Sequence, residues 1–254
     1  MTTAQDIYDY LNTIAPFDTA RPTDNVGFTM GRVDRELRKV FLVMDVTAEI
    51  IAAAVEAGAD MILSHHPVIY HPIRKLPERS PAWLAARHDI TLLAAHTNLD
   101  VARGGVNETY LTAIGLEKLG DLPGTDGCAS LCRCPEALSD GHALAAQVRK
   151  CTGLPCVKLA DSGRRIRTVA VCCGGGASFF EQAVAAGVDA FITGDLRHDN
   201  GVDAHNLGMT LIDAGHYETE QLVLAPLASL LAERFPDVEF LRPDADRPIY
   251  EYIF

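Results

Sequence analysis

The chain has 254 residues, of which 48% are hydrophobic and 22% are charged, the composition of an ordinary globular protein. Its formal charge of -12 argues against a partnership with extended DNA or RNA, because nucleic-acid binders present clustered lysines and arginines. The chain has neither an apolar run of the about 20 residues that a membrane helix needs nor a basic, apolar leader, so we expect a cytoplasmic protein with no membrane partner. Seven cysteines, an odd number, favour reduced thiols over a disulfide framework.

The first periodic region of the chain predicts a βαβ unit. From Lys39 the sequence reads VFLVMDVT, an apolar strand, then AEIIAAAVEAGAD, a helical pattern, and then MILSHHP, a second apolar strand. A third apolar strand follows in ITLLAAHTNLD and ends in a polar cluster. Near-continuous apolar strands separated by helices indicate an α/β fold, with parallel or mixed sheets that helices cover on both faces.

A segment without sustained periodicity lies in the middle of the chain. It reads GDLPGTDGCASLCRCPEALSDG and is rich in Gly, Pro, Asp and Cys. We place the domain boundary there, between an N-terminal lobe of residues 1–125 and a C-terminal lobe of residues 126–254. Cys132 and Cys134 lie in this segment, but the CxC spacing differs from the CxxC of common zinc sites, which disfavours a zinc site.

The second half of the chain repeats the pattern of the first. RTVAVCCGGG, SFFEQAVAAGVDA and FITGDLRHD again read as strand, helix and strand, and MTLIDAGHYETE corresponds to ITLLAAHTNLD. Gly58 and Asp60 align with Gly187 and Asp189 at an offset of 129 residues. The sequence therefore predicts two related α/β lobes, an internal pseudo-repeat. Ligands commonly bind beyond the carboxyl ends of strands, so we expect the site between the lobes.

Two adjacent histidines end the second apolar strand. His65 and His66 are followed by Pro67, which favours a turn, and a turn allows both rings to converge on one place. An ordinary pair of loop histidines is the alternative interpretation of this motif alone. The triple glycine at 174–176, at the end of the strand RTVAVCC, is interpreted as a tight turn, with an amide nest for phosphate as the alternative.

A repeated spacing strengthens the metal interpretation. His96 and Asp100 are four residues apart, and so are His216 and Glu220, at matching places in the two halves. Residues at i and i+4 share one side of a helix. Imidazole together with carboxylate suits divalent ions such as Zn, Fe, Mn or Ni.

Several blocks, taken in order, resemble those of the Nif-three-like dinuclear-metal proteins, often labelled GTP cyclohydrolase 1 type 2 homologues. They are DNVGF, LVMDVT, SHHP, AHTNLD followed by GGVN, ITGDLRHD and DAGHYETE, and they cover the chain from about Asp24 to the C-terminus. The resemblance implies a homohexameric ring and two divalent metal ions per chain. The ligands that it implies are His65, His66, Asp100, His216 and Glu220, with Glu220 bridging both ions.

The activity implied by the resemblance is metal-dependent hydrolysis of a nucleotide or another phosphate-bearing small molecule, with a metal-bridging hydroxide as nucleophile. We assign catalytic roles to Glu220, His96 and His198, with His96 or His198 as the proton shuttle. Arg197 stands where the family often has an aromatic residue, which weakens the role of His198, and Asp195 is expected to line or shape the pocket. No P-loop, GxGxxG motif or arginine cluster identifies the nucleotide. A non-enzymatic metal-binding, metal-delivery or scaffold protein is the alternative.

Overall fold

The computed structural model describes residues 1–253, and their contacts divide the chain into two compact units. The first unit contains residues 1–103 and 224–249, and the second contains residues 104–223 and 250–253. Each unit has one mixed sheet and its own helices. None of the described helices is both long enough and apolar enough to cross a membrane.

The first unit begins with α1 (Ala4–Ile14), β1 (Gly27–Met30), β2 (Lys39–Val43), α2 (Ala48–Ala57), β3 (Met61–Ser64), α3 (Pro81–Arg87), β4 (Thr91–Ala94) and α4 (Thr97–Val101). The second unit contains α5 (Val106–Ile114), β5 (Glu117–Asp121), β6 (Ser130–Arg133), α6 (Gly141–Thr152), β7 (Lys158–Ala160), β8 (Thr168–Val171), α7 (Phe180–Ala185), β9 (Ala190–Thr193), α8 (His198–Leu207), β10 (Thr210–Asp213) and α9 (His216–Glu220). The chain then returns to the first unit with α10 (Leu224–Arg234) and β11 (Glu239–Leu241).

The sheet of the first unit has the strand order β1-β4-β3-β2-β11. β11, β2, β3 and β4 are parallel, and β1 is antiparallel to β4. Helix α2 packs against this sheet through Ile50, Ile51 and Ala54. The side chain of Thr47 caps its first turn, and Gly58 ends it in a left-handed conformation with φ of 66°.

The sheet of the second unit has the strand order β5-β6-β8-β9-β10-β7. β8, β9 and β10 are parallel, whereas β5, β6 and β7 pair in antiparallel fashion. Each unit therefore contains three consecutive parallel strands with an antiparallel strand beside the last of them, β1 beside β4 and β7 beside β10. The predicted α/β class, with two mixed sheets covered by helices, is confirmed.

The internal repeat has a physical basis in matched backbone contacts. Gly58 and Gly187 both have a φ of 66° after the helix that precedes a parallel strand. Asp60 and Asp189 each accept two backbone N–H bonds, at 2.8 to 3.2 Å, at the start of the neighbouring strands β2 and β8. The aspartate thus accepts the backbone N–H groups at the start of the neighbouring strand in each sheet.

The division into units differs from the boundary predicted at residue 125. Helix α5 and strand β5 belong to the second unit, where β5 pairs with β6, and β11 belongs to the first, where it pairs with β2. The aperiodic central segment contains β6 and part of β5, a strand of mostly exposed residues with no apolar run to reveal it. The division into units depends on pairing between strands that are distant in the sequence, and local periodicity carries no signal for such pairing.

The two cysteines of the central segment are buried thiols. Burial raises the pKa of Cys132 to about 12 and that of Cys134 to about 11. Both are therefore protonated at neutral pH, and among residues 1–253 no group of three candidate metal ligands includes a cysteine.

Candidate metal centre

Three imidazoles of the first unit converge at one edge of its sheet. His65 and His66 follow β3, and His96 follows β4, its parallel neighbour. One nitrogen of each ring lies within 4.8 Å of the others, and the ring centroids are 4.9 to 5.4 Å apart. Because the carboxyl ends of parallel strands meet at one edge, the alternation of strands and helices is what assembles this cluster.

Each of these three imidazoles donates its Nδ1–H to an oxygen atom. The acceptors are the carbonyl of Ala95 for His65, the carboxylate of Asp45 for His66 and the carboxylate of Asp24 for His96, at 2.9, 2.9 and 2.8 Å. These oxygens can only accept, so in each neutral ring the proton is on Nδ1 and the lone pair is on Nε2. This is the arrangement that orients histidines as metal ligands.

Asp24 is the buried acceptor behind His96, and it belongs to the DNVGF block. Its second oxygen accepts hydrogen bonds from the backbone N–H and the hydroxyl of Thr97, at 3.1 and 2.5 Å. Burial alone would raise the pKa of this carboxyl, but the hydrogen bonds from His96 and Thr97 outweigh burial and hold the pKa well below its usual range. Asp24 is therefore ionised and available as an acceptor at neutral pH.

Asp100 on α4 contributes a carboxylate to the same cluster. Its Oδ1 lies 3.5 Å from Nε2 of His65. Two ligand atoms bound to one ion at about 2.1 Å, with angles between 90° and 110°, would lie about 3.0–3.4 Å apart, so the observed separation is slightly longer than a shared ion requires. The spacing of four residues pointed to His96 as the partner of Asp100, whereas the structure records His65 beside it.

The second unit contains a matching imidazole–carboxylate pair on α9. Nε2 of His216 lies 3.2 Å from Oε2 of Glu220, one helical turn away, and Glu220 is buried. Nδ1 of His216 donates to Oδ2 of Asp195 at 2.7 Å. His216 is therefore oriented in the same way as the three histidines of the first unit, with Nε2 as its acceptor nitrogen.

The triple glycine makes room for this pair. Gly174 has a φ of 64°, and a Cβ there would overlap Oε1 of Glu220 and lie 3.2 Å from Nε2 of His216. Its backbone N–H donates to the hydroxyl of Thr219, and that of Gly176 donates to the hydroxyl of Thr193. These two amides are already used, which supports the tight-turn interpretation over an amide nest for phosphate.

His198 is exposed and is the first residue of α8. It lines a cavity of about 330 Å³ together with Lys158 and Arg197. Among the described residues no group of three candidate ligands contains His198. Asp195, by contrast, contacts a candidate ligand directly.

The acceptors behind the imidazoles are the functional residues that sequence reasoning did not assign. Asp24 and Asp45 lie within the matched blocks DNVGF and LVMDVT, so those blocks were the available signal. Asp195 was expected only to line or shape the pocket, and Gly174 only to turn the chain. In the structure, the three aspartates each accept a hydrogen bond from a candidate site histidine. Gly174 leaves the space that the carboxylate of Glu220 occupies.

Imidazole and carboxylate clusters at the ends of parallel strands define an α/β protein with candidate sites for divalent metal ions. The sequence profile of the Duf34/NIF3 (NGG1p interacting factor 3) family matches residues 2–247. The chain belongs to this family, which confirms the resemblance seen in the sequence blocks.

Relatives with curated names cover nearly the whole chain. A Clostridium perfringens protein named GTP cyclohydrolase 1 type 2 homolog is 31% identical over 98% of both chains. A protein of the same name from Methanocaldococcus jannaschii is 28% identical over 95% of this chain and 99% of its own length.

Solved structures share the fold over the same extent. A hypothetical protein of Staphylococcus aureus superposes with a TM-score of 0.86 at 25% identity, covering 99% of each chain. Reduced HcgD from Methanocaldococcus jannaschii superposes with a TM-score of 0.84 at 26% identity, covering 96% of this chain and 98% of its own.

Proposed function

We propose that the protein is a dinuclear-metal-dependent hydrolase of a nucleotide or another phosphate-bearing small molecule. Both units would contribute ligands to one centre that holds two divalent ions per chain, drawn from Zn, Fe, Mn or Ni. The ligands would be His65, His66, Asp100, His216 and Glu220. Glu220, at the buried end of α9, would bridge the ions.

The observation that carries this proposal is the common orientation of four imidazoles. His65, His66, His96 and His216 each donate Nδ1–H to an oxygen, so that Nε2 is the acceptor in every neutral ring. Histidines buried only for packing have no reason to share one tautomer. Histidines that bind a metal typically do share it, because the acceptor on Nδ1 raises the basicity of Nε2.

Divalent ions at these ligands would supply Lewis acidity and would activate water at neutral pH. The protein's own part is to hold the ligands and to move protons. His96 is suited to take up a proton at Nε2, because its hydrogen bond to Asp24 fixes the ring with Nε2 as the acceptor nitrogen. His198 remains the proposed alternative to His96 as the proton shuttle.

GTP is the first substrate to assay, because relatives that cover almost the whole chain are named GTP cyclohydrolase 1 type 2 homolog. The experiment combines elemental analysis with turnover of GTP and of simple phosphoesters by metal-loaded protein. Glu220→Gln is expected to lower the metal content and to abolish turnover. Glu233→Gln, an exposed glutamate on α10, is the matched control and is expected to leave both unchanged.

Two outcomes would contradict parts of this proposal. A wild-type protein that takes up fewer than two ions per chain contradicts the dinuclear centre. Two ions with no turnover across a broad panel of phosphate-bearing substrates contradict the hydrolase and favour a metal-binding, metal-delivery or scaffold role.

The assembly and the compartment stay proposals of the same kind. We propose the homohexameric ring that the family resemblance implies, which light scattering coupled to gel filtration measures directly. A cytoplasmic location stays a prediction from the sequence, and cell fractionation tests it.

A further inference from the structure

A long basic loop follows the histidine pair of the first unit. We define the basic loop as residues 69–80, which lie between His66 and the first residue of α3. Its sequence is IYHPIRKLPERS, and all residues from 70 to 79 are exposed. The whole connection between β3 and α3 exceeds the about 12–15 residues beyond which loops in compact domains are usually functional.

The charge of the basic loop opposes that of the chain. It carries Arg74, Lys75 and Arg79 against a single carboxylate, Glu78, whereas the whole chain has 22 Lys and Arg against 34 Asp and Glu. Within residues 1–253, no hydrogen bond or ion pair engages the side chains of these three cations. Three unpaired cations on one loop make this surface suited to an anion from outside, in a chain that otherwise has a surplus of carboxylates.

The basic loop is joined to the imidazole cluster through an aromatic residue. Tyr70 is 43% exposed, and its ring packs edge-to-face with His71 and with His96, at centroid separations of 4.8 and 5.9 Å. The side-chain amide of Asn25 donates to the carbonyl of Ile69 at 2.5 Å and holds the start of the loop. Tyr70 is thus fixed at the rim of the candidate metal centre with part of its ring open.

We propose that the basic loop recognises the ligand of this centre, a phosphate-bearing molecule with a planar ring system. Tyr70 packs against the ring system, and Arg74 and Lys75 bind the phosphate groups. The claim that the bound ligand is the substrate rests on the proposed function. The binding itself requires only the loop.

The chain geometry is compatible with one ligand spanning both features. Arg74 is four residues from Tyr70, so their Cα atoms are at most about 14 Å apart. Arginine offers a planar fork of donors that matches phosphate oxygens, and lysine adds a mobile point charge. The ring face of a tyrosine accepts any planar base, so this arrangement selects a class of ligand and not one base.

Equilibrium dialysis at 4 °C, with GTP and with guanosine as separate probes, tests the proposal on metal-loaded and on metal-free protein. The variant Arg74→Ala with Lys75→Ala is expected to bind GTP at least about tenfold more weakly and guanosine as the wild type does. Tyr70→Ala is expected to weaken both probes by a similar factor. The control Arg32→Ala with Arg38→Ala removes two exposed cations of the same unit and is expected to change neither.

The proposal is overturned if the Arg74 and Lys75 variant binds GTP within about twofold of the wild type, or if the control loses as much. It is also overturned if the wild type binds no GTP, or if the loop variants lose metal ions, since that loss shows a structural role. A failure of the proposed hydrolase function gives a different result. In that case the protein has no turnover, but the loop variants still bind GTP more weakly than the wild type while guanosine binding follows the pattern given above.

Discussion

Asp24 accepts a hydrogen bond from Nδ1 of His96 at 2.8 Å, although the two residues are 72 positions apart in the chain. The same carboxylate accepts two hydrogen bonds from Thr97. One buried side chain therefore holds the ring of a candidate site residue and the first turn of α4 together.

Asp24→Asn is expected to destabilise the protein and to weaken the site. The carboxylate also accepts a hydrogen bond from the backbone N–H of Asn25, at 2.8 Å. An amide cannot accept all four hydrogen bonds as a carboxylate does, so the free energy of unfolding should fall by about 1–3 kcal/mol. Urea unfolding measures this change, with Asp18→Asn, an exposed aspartate, as the control. Equal stability of the two variants would contradict a role for Asp24 in holding α4.

Gly174→Ala is expected to reduce metal binding more than it reduces stability. The alanine is strained by about 1–2 kcal/mol at a φ of 64°, and its Cβ displaces the carboxylate of Glu220. Gly187→Ala is the matched control, since Gly187 has a φ of 66° but nothing within 4 Å of the added Cβ.

Thermal unfolding and elemental analysis together separate the two effects of these glycine variants. Gly187→Ala should lose only the stability that the backbone strain costs, and Gly174→Ala should lose at least as much. Only Gly174→Ala should lose metal ions. Full metal content in Gly174→Ala would argue that Glu220 is not a ligand.

Asp195→Asn is expected to lower metal affinity without unfolding the second unit. The carboxylate of Asp195 orients His216, and loss of such a partner typically costs about 10–100-fold in affinity. Its side chain is 62% exposed, so little folding energy depends on it. Competition with a chelator measures the affinity, and Asp199→Asn, which alters a nearby exposed carboxylate, should bind as the wild type does.

The thiols should differ in their reaction with a disulfide reagent at pH 8. Cys156 is exposed and should react first, whereas burial raises the pKa of Cys132 to about 12 and the pKa of Cys151 to about 11. These two remain protonated and slow, because the thiolate is the reactive species. Cys156→Ser should remove the fast phase, and a fast phase that persists in this variant would show that a buried thiol is accessible.

Much of the fold could be predicted because its signals are local. Runs such as VFLVMDVT and RTVAVCC are apolar enough to mark parallel strands, and Gly58 and Gly187 mark the helix ends between them. The candidate site residues could be named for the same reason, since imidazoles and carboxylates follow the strands whose ends meet.

The sequence alone determined the α/β class, the internal repeat and which histidines and carboxylates stand at strand ends, because each depends on periodicity or spacing within about a dozen residues. Only the tertiary structure decided that Asp24 lies behind His96 and Asp100 beside His65. It alone showed that β11 returns to the first sheet and that Tyr70 joins a basic loop to the imidazole cluster. These relationships depend on strand pairing and loop paths between residues far apart in the chain, for which local pattern carries no signal.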